Sequence, residues 1–253
     1  MEEIFGPEGL DILRSGDEVA DREDGLRVKE MILQKIAFDE VAVDRKIPLL
    51  GDESWPFPIP LVLRDGRWRF DVEAGADELL TRRIGRNELL ALASLHAYVD
   101  AQRDYASQAP DGTPPTYARR LLSTEGKHDG LYWPAAEGEP ESPLGPYYAE
   151  AADQRSPNAE GPQPFNGYYF RMLEAQGKSA PGGARSYVDE QGLMTRGHAL
   201  VAWPAEHGSS GIQTFQISAQ GVVFQKDLGP DTASAVESIT VYEPDDSWEP
   251  TGD

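Results

Sequence analysis

The sequence predicts an α+β protein, in which a small N-terminal module of strands and helix precedes a long helix that packs on a C-terminal antiparallel β-meander. Apolar residues alternate over residues 40–50, follow helical spacing over residues 77–107, and alternate again in several segments of the last third of the chain. A period of two is typical of strands, and a period near 3.6 is typical of helices. The change of period at Gly75 divides the chain into an N-terminal module, 1–75, and a second part, 76–253.

The N-terminal module is predicted to contain a helix, a strand and a hairpin. Apolar residues are spaced for one buried helical side over roughly 25–38, and they alternate as in a strand over 40–50. Proline recurs at every second position of 56–60. Because proline cannot donate to a strand ladder, we expect strand pairing to begin near Leu61. The Asp-Gly step at 65–66 is typical of a tight turn between two paired strands.

A long amphipathic helix is predicted over residues 77–107. Its apolar residues form one broad face, and Asp100, Arg103 and Asp104 lie on the opposite side. Gly85 is expected to kink or divide this helix, because glycine is a poor helix former. A loop rich in proline and glycine follows.

The middle of the chain is predicted to be mostly irregular. Residues 117–122 are expected to form a short helix, and residues 126–164 are rich in Gly, Pro and acidic residues, with a further short helix near 147–152. Long irregular segments are uncommon in compact domains and are often functional.

Four strands and a short helix are predicted in the C-terminal part. The last two strands are joined by a hairpin at Gln220-Gly221, and Asp231 is placed as the N-cap of the final helix. The strand segments are 168–173, 199–203, 212–217 and 222–226.

The charge balance restricts the partners of the chain. Its 253 residues include 44 acidic and 23 basic residues, for a formal net charge of −21. Lys and Arg neutralise the phosphates of nucleic acids and of anionic lipids, so this balance argues against both partners.

The chain has no cysteine, which excludes disulfides and thiolate ligands. Its longest apolar stretch, 89–99, is shorter than the roughly 20 residues that span a bilayer, so we expect a soluble protein.

Seven strings of residues, in order along the chain, carry a resemblance to a known family. They are Trp55-Pro-Phe-Pro-Ile-Pro-Leu61, Trp68-Arg-Phe-Asp71, Arg82-Arg-Ile-Gly-Arg-Asn-Glu-Leu89, Tyr98-Val-Asp-Ala-Gln-Arg103, Gly130-Leu-Tyr-Trp-Pro134, Ala202-Trp-Pro-Ala205 and Gln225-Lys-Asp-Leu-Gly-Pro230. Over nearly its whole length the chain resembles an uncharacterised bacterial family, domain of unknown function 2950. The resemblance brings no catalytic assignment with it.

The resemblance also implies a location. Family members are typically exported, with a signal and an extra helix before the position of Phe5-Gly-Pro-Glu-Gly9, and both are missing ahead of Met1 here. The resemblance therefore implies a periplasmic or cell-envelope protein whose N-terminus looks truncated. If Met1 is the true start, a cytoplasmic protein is expected instead.

A second resemblance concerns only the second half of the chain. The helix ending near Tyr105, the strand around Gly167 to Arg171, and the later hairpin are similar to pseudopilin globular domains. Pseudopilins begin with an apolar helix and a cleavage motif that this sequence does not have, so filament assembly does not follow from the resemblance.

Glu88 is the leading candidate for a functional side chain. On a helical projection it lies in the middle of the apolar face of the predicted helix. Burial of an isolated charge is costly, so its carboxylate is expected to pair with Arg82, Arg83 or Arg86, or to serve as the acid/base group of an enzyme. Alternatively, a helix that restarts at Gly85 places Glu88 in a first turn, where the helix dipole stabilises an acid.

No other reaction centre is indicated by a motif. The four histidines lack the spacing of zinc ligands, and the aspartates lack the spacing of a calcium-binding EF-hand loop. The sequence contains neither a Gly-x-Ser-x-Gly elbow nor a phosphate-binding glycine motif. We therefore expect no metal and no cofactor.

Two aromatic residues of the Pro/Gly-rich region, Tyr132 and Trp133, are candidate contacts for a ligand or partner, because aromatic residues concentrate in interface centres and pockets. Alternatively, they pin the loop onto the sheet. Together with the missing motifs, they favour a non-enzymatic protein that binds an unidentified protein or small ligand, and the family resemblance implies that it does so in the cell envelope. The alternatives are a cofactor-independent enzyme that uses Glu88 with a nearby arginine, and a pseudopilin-like assembly subunit.

Overall fold

The computed structural model describes residues 18–108, 114–135, 141–145 and 163–252. It confirms the α+β fold class. The chain divides into two compact units, Met1–Arg82 and Arg83–Asp253. The short helix predicted at 147–152 lies outside the described residues.

The described part of the first unit contains one helix, five short strands and the start of a second helix. The elements are α1 (Glu18–Gln34), β1 (Ile36–Ala42), β2 (Arg45–Leu50), β3 (Trp55–Pro56), β4 (Leu61–Arg64), β5 (Arg67–Phe70) and α2 (Val72–Ser107). The strands form one antiparallel sheet in the order β1-β2-β4-β5, and β3 pairs with β2.

Two boundaries predicted for this unit were wrong. Helix α1 ends at Gln34, and the last predicted turn of the helix belongs to β1. The strand predicted over 40–50 is a hairpin, because the chain reverses at Val43-Asp44 between β1 and β2. Alternation of apolar residues continues through this turn, so the pattern did not indicate the reversal.

The second hairpin of this unit agrees with its prediction. Strands β4 and β5 pair around Asp65 and Gly66, whose φ angles of 52° and 74° are the left-handed values that a two-residue turn of this kind requires. Pairing of β4 with β2 begins at Leu61, as predicted, but β3 already pairs with β2 at Trp55 and Pro56, so the prediction that the proline segment does not pair was wrong.

The long helix is less interrupted than its sequence predicts. Helix α2 contains 36 residues and continues through Gly85, so the predicted division at this glycine was wrong. A glycine inside a helix costs about 1 kcal/mol, and tertiary packing of an apolar helix face commonly outweighs such a cost. In the described part of the chain, no helix is both long and apolar enough to cross a membrane.

The second unit is built around a five-stranded antiparallel sheet. Its elements after α2 are β6 (Tyr168–Leu173), β7 (Ala175–Gln176), β8 (Arg185–Ser186), β9 (Ala199–Pro204), β10 (Gln213–Ser218), β11 (Val223–Asp227), α3 (Thr232–Ala235), a 3-10 turn (Val236–Ser238) and β12 (Glu249–Pro250). The sheet order is β12-β11-β10-β9-β6, which confirms the predicted meander, and β7 pairs with β8. Asp231 occupies the N-cap position of α3 without a side-chain capping bond.

Both faces of the large sheet are covered. On one face, Leu95 and Tyr98 of α2 pack in one apolar cluster with Phe215 of β10. On the other face, Val201 of β9 belongs to a second cluster that includes Tyr242. The sheet therefore lies between two layers of apolar side chains, and α2 supplies one of them.

Candidate functional site

A buried glutamine fixes the segment that follows α2. The Gln102 side-chain amide donates to the Ala118 carbonyl at 2.9 Å, and its oxygen accepts the Ala118 N–H at 2.9 Å. Tyr117 donates its backbone N–H to the Met194 carbonyl at 2.8 Å. Because these backbone groups bond to partners outside the segment, residues 117–122 are not helical, and the helix predicted there was wrong.

An open cleft lies between this segment and the loop that contains Met194. Its volume is about 380 Å³, which falls within the range of roughly 300–1,000 Å³ that is typical of small-ligand sites. Leu193 and Met194 supply apolar lining. The aromatic and charged lining residues are Tyr105, Tyr117, Arg119, Arg120, Asp129 and Glu174.

The two arginines of the cleft differ in their partners. Arg119 donates two hydrogen bonds to the Glu174 carboxylate, at 2.9 and 2.8 Å, and a third to the Gly192 carbonyl at 3.0 Å. The Arg120 guanidinium donates one hydrogen bond, of 3.1 Å, to the Thr124 hydroxyl, and it forms no ion pair with any carboxylate of the described residues. A guanidinium has five donors, so Arg120 keeps most of them for water or a ligand.

Asp129 and Tyr105 have fixed protonation states near neutral pH. The Asp129 carboxylate accepts the backbone N–H of Thr124 at 2.7 Å and its hydroxyl at 2.9 Å, and these bonds lower the pKa of Asp129. Burial raises the pKa of the Tyr105 phenol, which donates to the His128 carbonyl at 3.2 Å. An ionised carboxylate and a neutral phenol supply an acceptor and a donor, and neither is poised to transfer a proton at pH 7.

A buried histidine lies behind the cleft wall. The His198 ring centroid is 4.8 Å from that of Tyr117 and 5.2 Å from that of Tyr98. His198 is 1% exposed, and its Nδ1 has no hydrogen-bond partner in the described part of the chain. Burial, with a smaller effect of the Arg103 charge, lowers the pKa of His198 to about 4. The ring is therefore neutral at pH 7 and packs as an aromatic group.

Glu88 lies on α2 but does not line this cleft. Its Oε1 accepts the backbone N–H groups of Ile212 and Gln213, at 2.9 and 3.0 Å, where β10 begins. Across the described residues, Glu88 forms no ion pair with a neighbouring arginine, since Arg82 pairs with Glu78 and both Arg83 and Arg86 are exposed. The alternative in which the helix restarts before Glu88 was wrong, because α2 is continuous. The carboxylate joins the helix to the sheet.

Tyr132 and Trp133 belong to a segment that pairs with the chain just before it. The Leu121 carbonyl accepts the Tyr132 N–H at 2.9 Å. Trp133 is 5% exposed and stacks on the His128 ring with 4.3 Å between centroids, and its Nε1 has no partner within the described ranges. These are the contacts expected of aromatic residues that hold a loop in place. A binding role for either residue stays a prediction.

Sequence reasoning did not single out Tyr117, Arg119 or Arg120. The available signal was their adjacency, since Tyr117-Ala-Arg-Arg120 places one aromatic and two cationic side chains between irregular segments. Their partners Glu174 and Met194 are distant in sequence, so no spacing indicated the cleft. Among the residues that the structure describes, no group of three His, Asp or Glu side chains is arranged to hold a metal ion.

Comparison with known proteins identifies the family of the chain. No curated protein and no solved structure matched it, so the likeness to pseudopilins stays a prediction. A family model described as "Protein of unknown function (DUF2950)" matches residues 1–251. Because this match covers almost the whole sequence, the chain belongs to that family, as the seven strings of residues predicted.

Proposed function

We propose that the chain is a non-enzymatic binding protein whose cleft takes an anionic group, from a small ligand or from a partner protein. The observation that carries this proposal is the difference between the two arginines. Arg119 is neutralised by Glu174, whereas the Arg120 guanidinium donates only to the Thr124 hydroxyl and forms no ion pair within the described residues, although its charge adds to the hydrogen bonds from Thr124 in lowering the pKa of the nearby Asp129. A guanidinium with free donors recognises carboxylate or phosphate through paired hydrogen bonds.

The other residues that line the cleft indicate which chemical groups the ligand carries besides its anionic group. Tyr105 and Tyr117 offer ring surface, and Leu193 offers apolar contact, whereas Met194 beside it is 1% exposed. A cavity of about 380 Å³ accommodates a small molecule or a single protruding side chain. The class that fits is therefore a compact anion joined to an aromatic or aliphatic group.

The test is a comparison of matched ligands. Aromatic carboxylates such as phenylacetate are titrated by calorimetry beside neutral alcohols of the same skeleton, such as 2-phenylethanol. We expect the wild-type chain to bind the carboxylates about ten-fold more tightly than the alcohols, because only the carboxylates pair with Arg120. In the Arg120→Gln variant, this preference is expected to disappear.

A matched control separates local pairing from overall charge. Arg86→Gln removes the same charge from an exposed position of α2 that does not line the cleft. It is expected to keep the wild-type preference. Failure of every carboxylate to bind, or equal binding by Arg120→Gln and wild type, would contradict the proposal.

We also infer that the chain acts in the bacterial cell envelope. The inference rests on the family resemblance, which implies that the members are exported. Immunodetection after osmotic shock of the source cells is expected to find the protein in the periplasmic or envelope fraction. Recovery only with cytoplasmic marker enzymes would reject this location.

A further inference from the structure

One face of the N-terminal sheet carries four arginines. Directly opposed residues of an antiparallel sheet project to the same side, as do alternate residues of one strand. Arg45 opposes Val62, Val62 opposes Arg69, and Arg64 opposes Arg67. The four arginines therefore surround Val62 on one side of β2, β4 and β5, and this surface is called the arginine face below.

The arginine face is exposed and mostly unpaired. All four arginine side chains are exposed. Arg64 lies 3.9 Å from Asp71, and in the described part of the chain the other three arginines form no ion pair. Asp39, which opposes Ile47, is a second carboxylate on this side of the sheet. Cations thus exceed carboxylates here, although the whole chain has a net charge of −21.

The spacing of the arginine face matches an extended peptide. Arg67 and Arg69 are two residues apart on β5, which corresponds to about 7 Å. An extended peptide presents the side chains of residues i and i+2 at the same separation of about 7 Å. Each guanidinium can hold one carboxylate through two parallel hydrogen bonds, so acidic residues at alternate positions fit the row.

The net charge of the chain favours a short acidic partner over an extended polyanion. A membrane or a nucleic acid is negative over its whole area and would also be repelled by the rest of a chain whose net charge is −21. Charges separated by more than about 8 Å are largely screened at physiological salt, so a short segment interacts with the arginines alone.

We propose that the arginine face docks a short acidic segment of a partner protein, held extended along β5. The surface lies within the first unit and shares no residue with the cleft. Its test is therefore independent of the proposed binding function.

The experiment measures fluorescence anisotropy of a labelled peptide with glutamate at four alternate positions separated by serine, titrated with the full chain. In the double variant Arg67→Gln/Arg69→Gln, we expect the Kd to rise about ten-fold, from two surface ion pairs lost. The control double variant Arg27→Gln/Arg185→Gln removes the same charge from exposed positions elsewhere and is expected to keep the wild-type Kd. A peptide with glutamine in place of glutamate is expected not to bind.

Several results would overturn the proposal. Absence of binding by the glutamate peptide at low salt would do so, as would an equal loss of affinity in both double variants. Binding of vesicles containing phosphatidylglycerol that depends on Arg67 and Arg69 would assign the face to a membrane. A salt-sensitive dimer that is lost in Arg67→Gln/Arg69→Gln would assign it to a second copy of the chain.

Discussion

The two sheets of the molecule differ in how they are covered. Six of the seven residues of β1 are exposed, whereas five of the six residues are buried in β9 and in β10. A sheet covered on both faces holds its strands through packing and must also supply partners for polar side chains. A sheet with an exposed face leaves its side chains available for other contacts. The sheet of the second unit is therefore held by apolar layers on both faces, whereas the sheet of the first unit leaves many side chains exposed to solvent.

The covered sheet carries polar groups that an exposed sheet would leave to water. Gln216 of β10 is 1% exposed, and its side-chain oxygen accepts the Glu243 N–H at 3.1 Å. Thr214 and His198 each bury one polar atom that has no partner in the described residues. An unpaired buried polar group costs about 1–3 kcal/mol. Substitutions near these buried polar atoms are therefore expected to lower the stability of the second unit more than similar substitutions in the exposed sheet of the first unit.

The largest expected effect is a difference between matched leucines of the two sheets. Leu200→Ala in β9 removes a side chain that is 1% exposed from the cluster under α2, and it is expected to lower the free energy of unfolding by about 2–5 kcal/mol. Leu63→Ala in β4 removes a side chain that is 36% exposed and is expected to cost less than about 1 kcal/mol. Urea unfolding of both variants measures the difference. Equal losses of unfolding free energy in the two variants would mean that the burial of the second sheet does not make it more sensitive to loss of a side chain than the first sheet.

Acidification is expected to act on the second unit through His198. Its pKa is about 4 in the folded chain against an ordinary value of 6.5, so between these values the unfolded chain binds more protons. The contribution of neutral His198 to the free energy of unfolding is therefore fully present above pH 6.5, and it is lost as the pH falls towards 4. Between pH 7 and pH 5 the loss is on the order of 2 kcal/mol.

The measurement for His198 compares urea unfolding of wild type and His198→Gln at pH 7 and pH 5. Glutamine does not titrate, so the variant is expected to lack this part of the acid sensitivity, whatever its stability at pH 7. The carboxylates with lowered pKa, among them Asp129 and Asp189, remain in both proteins and cancel in the comparison. Identical losses of stability on acidification would show that His198 is not the group that responds.

The parts of the fold that the sequence predicted are those with long, regular patterns. The apolar face of α2 and the strands of the C-terminal meander extend over enough residues for their period to identify them. The turn at Val43-Asp44 and the non-helical segment after Tyr117 were predicted wrongly, because tertiary partners rather than local pattern decide them. The cleft was not predicted, since the contact of Arg119 with Glu174 joins residues far apart in sequence.

Glu88 shows what a local irregularity can indicate. A carboxylate within an apolar helix face predicts that the side chain has a specific partner. The partner is a pair of backbone N–H groups of β10, rather than one of the neighbouring arginines. The irregularity identified the residue, whereas the identity of its partner depended on the packing of α2 against the sheet.

The smallest expected effect compares two polar contacts that α2 makes, each within its own unit. In the second unit, Glu88→Gln keeps an oxygen that can accept from Ile212 and Gln213 but removes the charge, so it is expected to cost about 1 kcal/mol. In the first unit, Arg82→Gln loses partly exposed contacts to the Pro56 carbonyl, the Glu78 carboxylate and the Trp55 ring. Because such contacts are screened by solvent, the variant is expected to change stability by about 0.5 kcal/mol. Urea unfolding to a precision of a few tenths of a kcal/mol distinguishes the two. A larger loss of stability in Arg82→Gln than in Glu88→Gln would contradict this ranking. It would mean that the polar contacts of α2 contribute more to stability in the first unit than in the second.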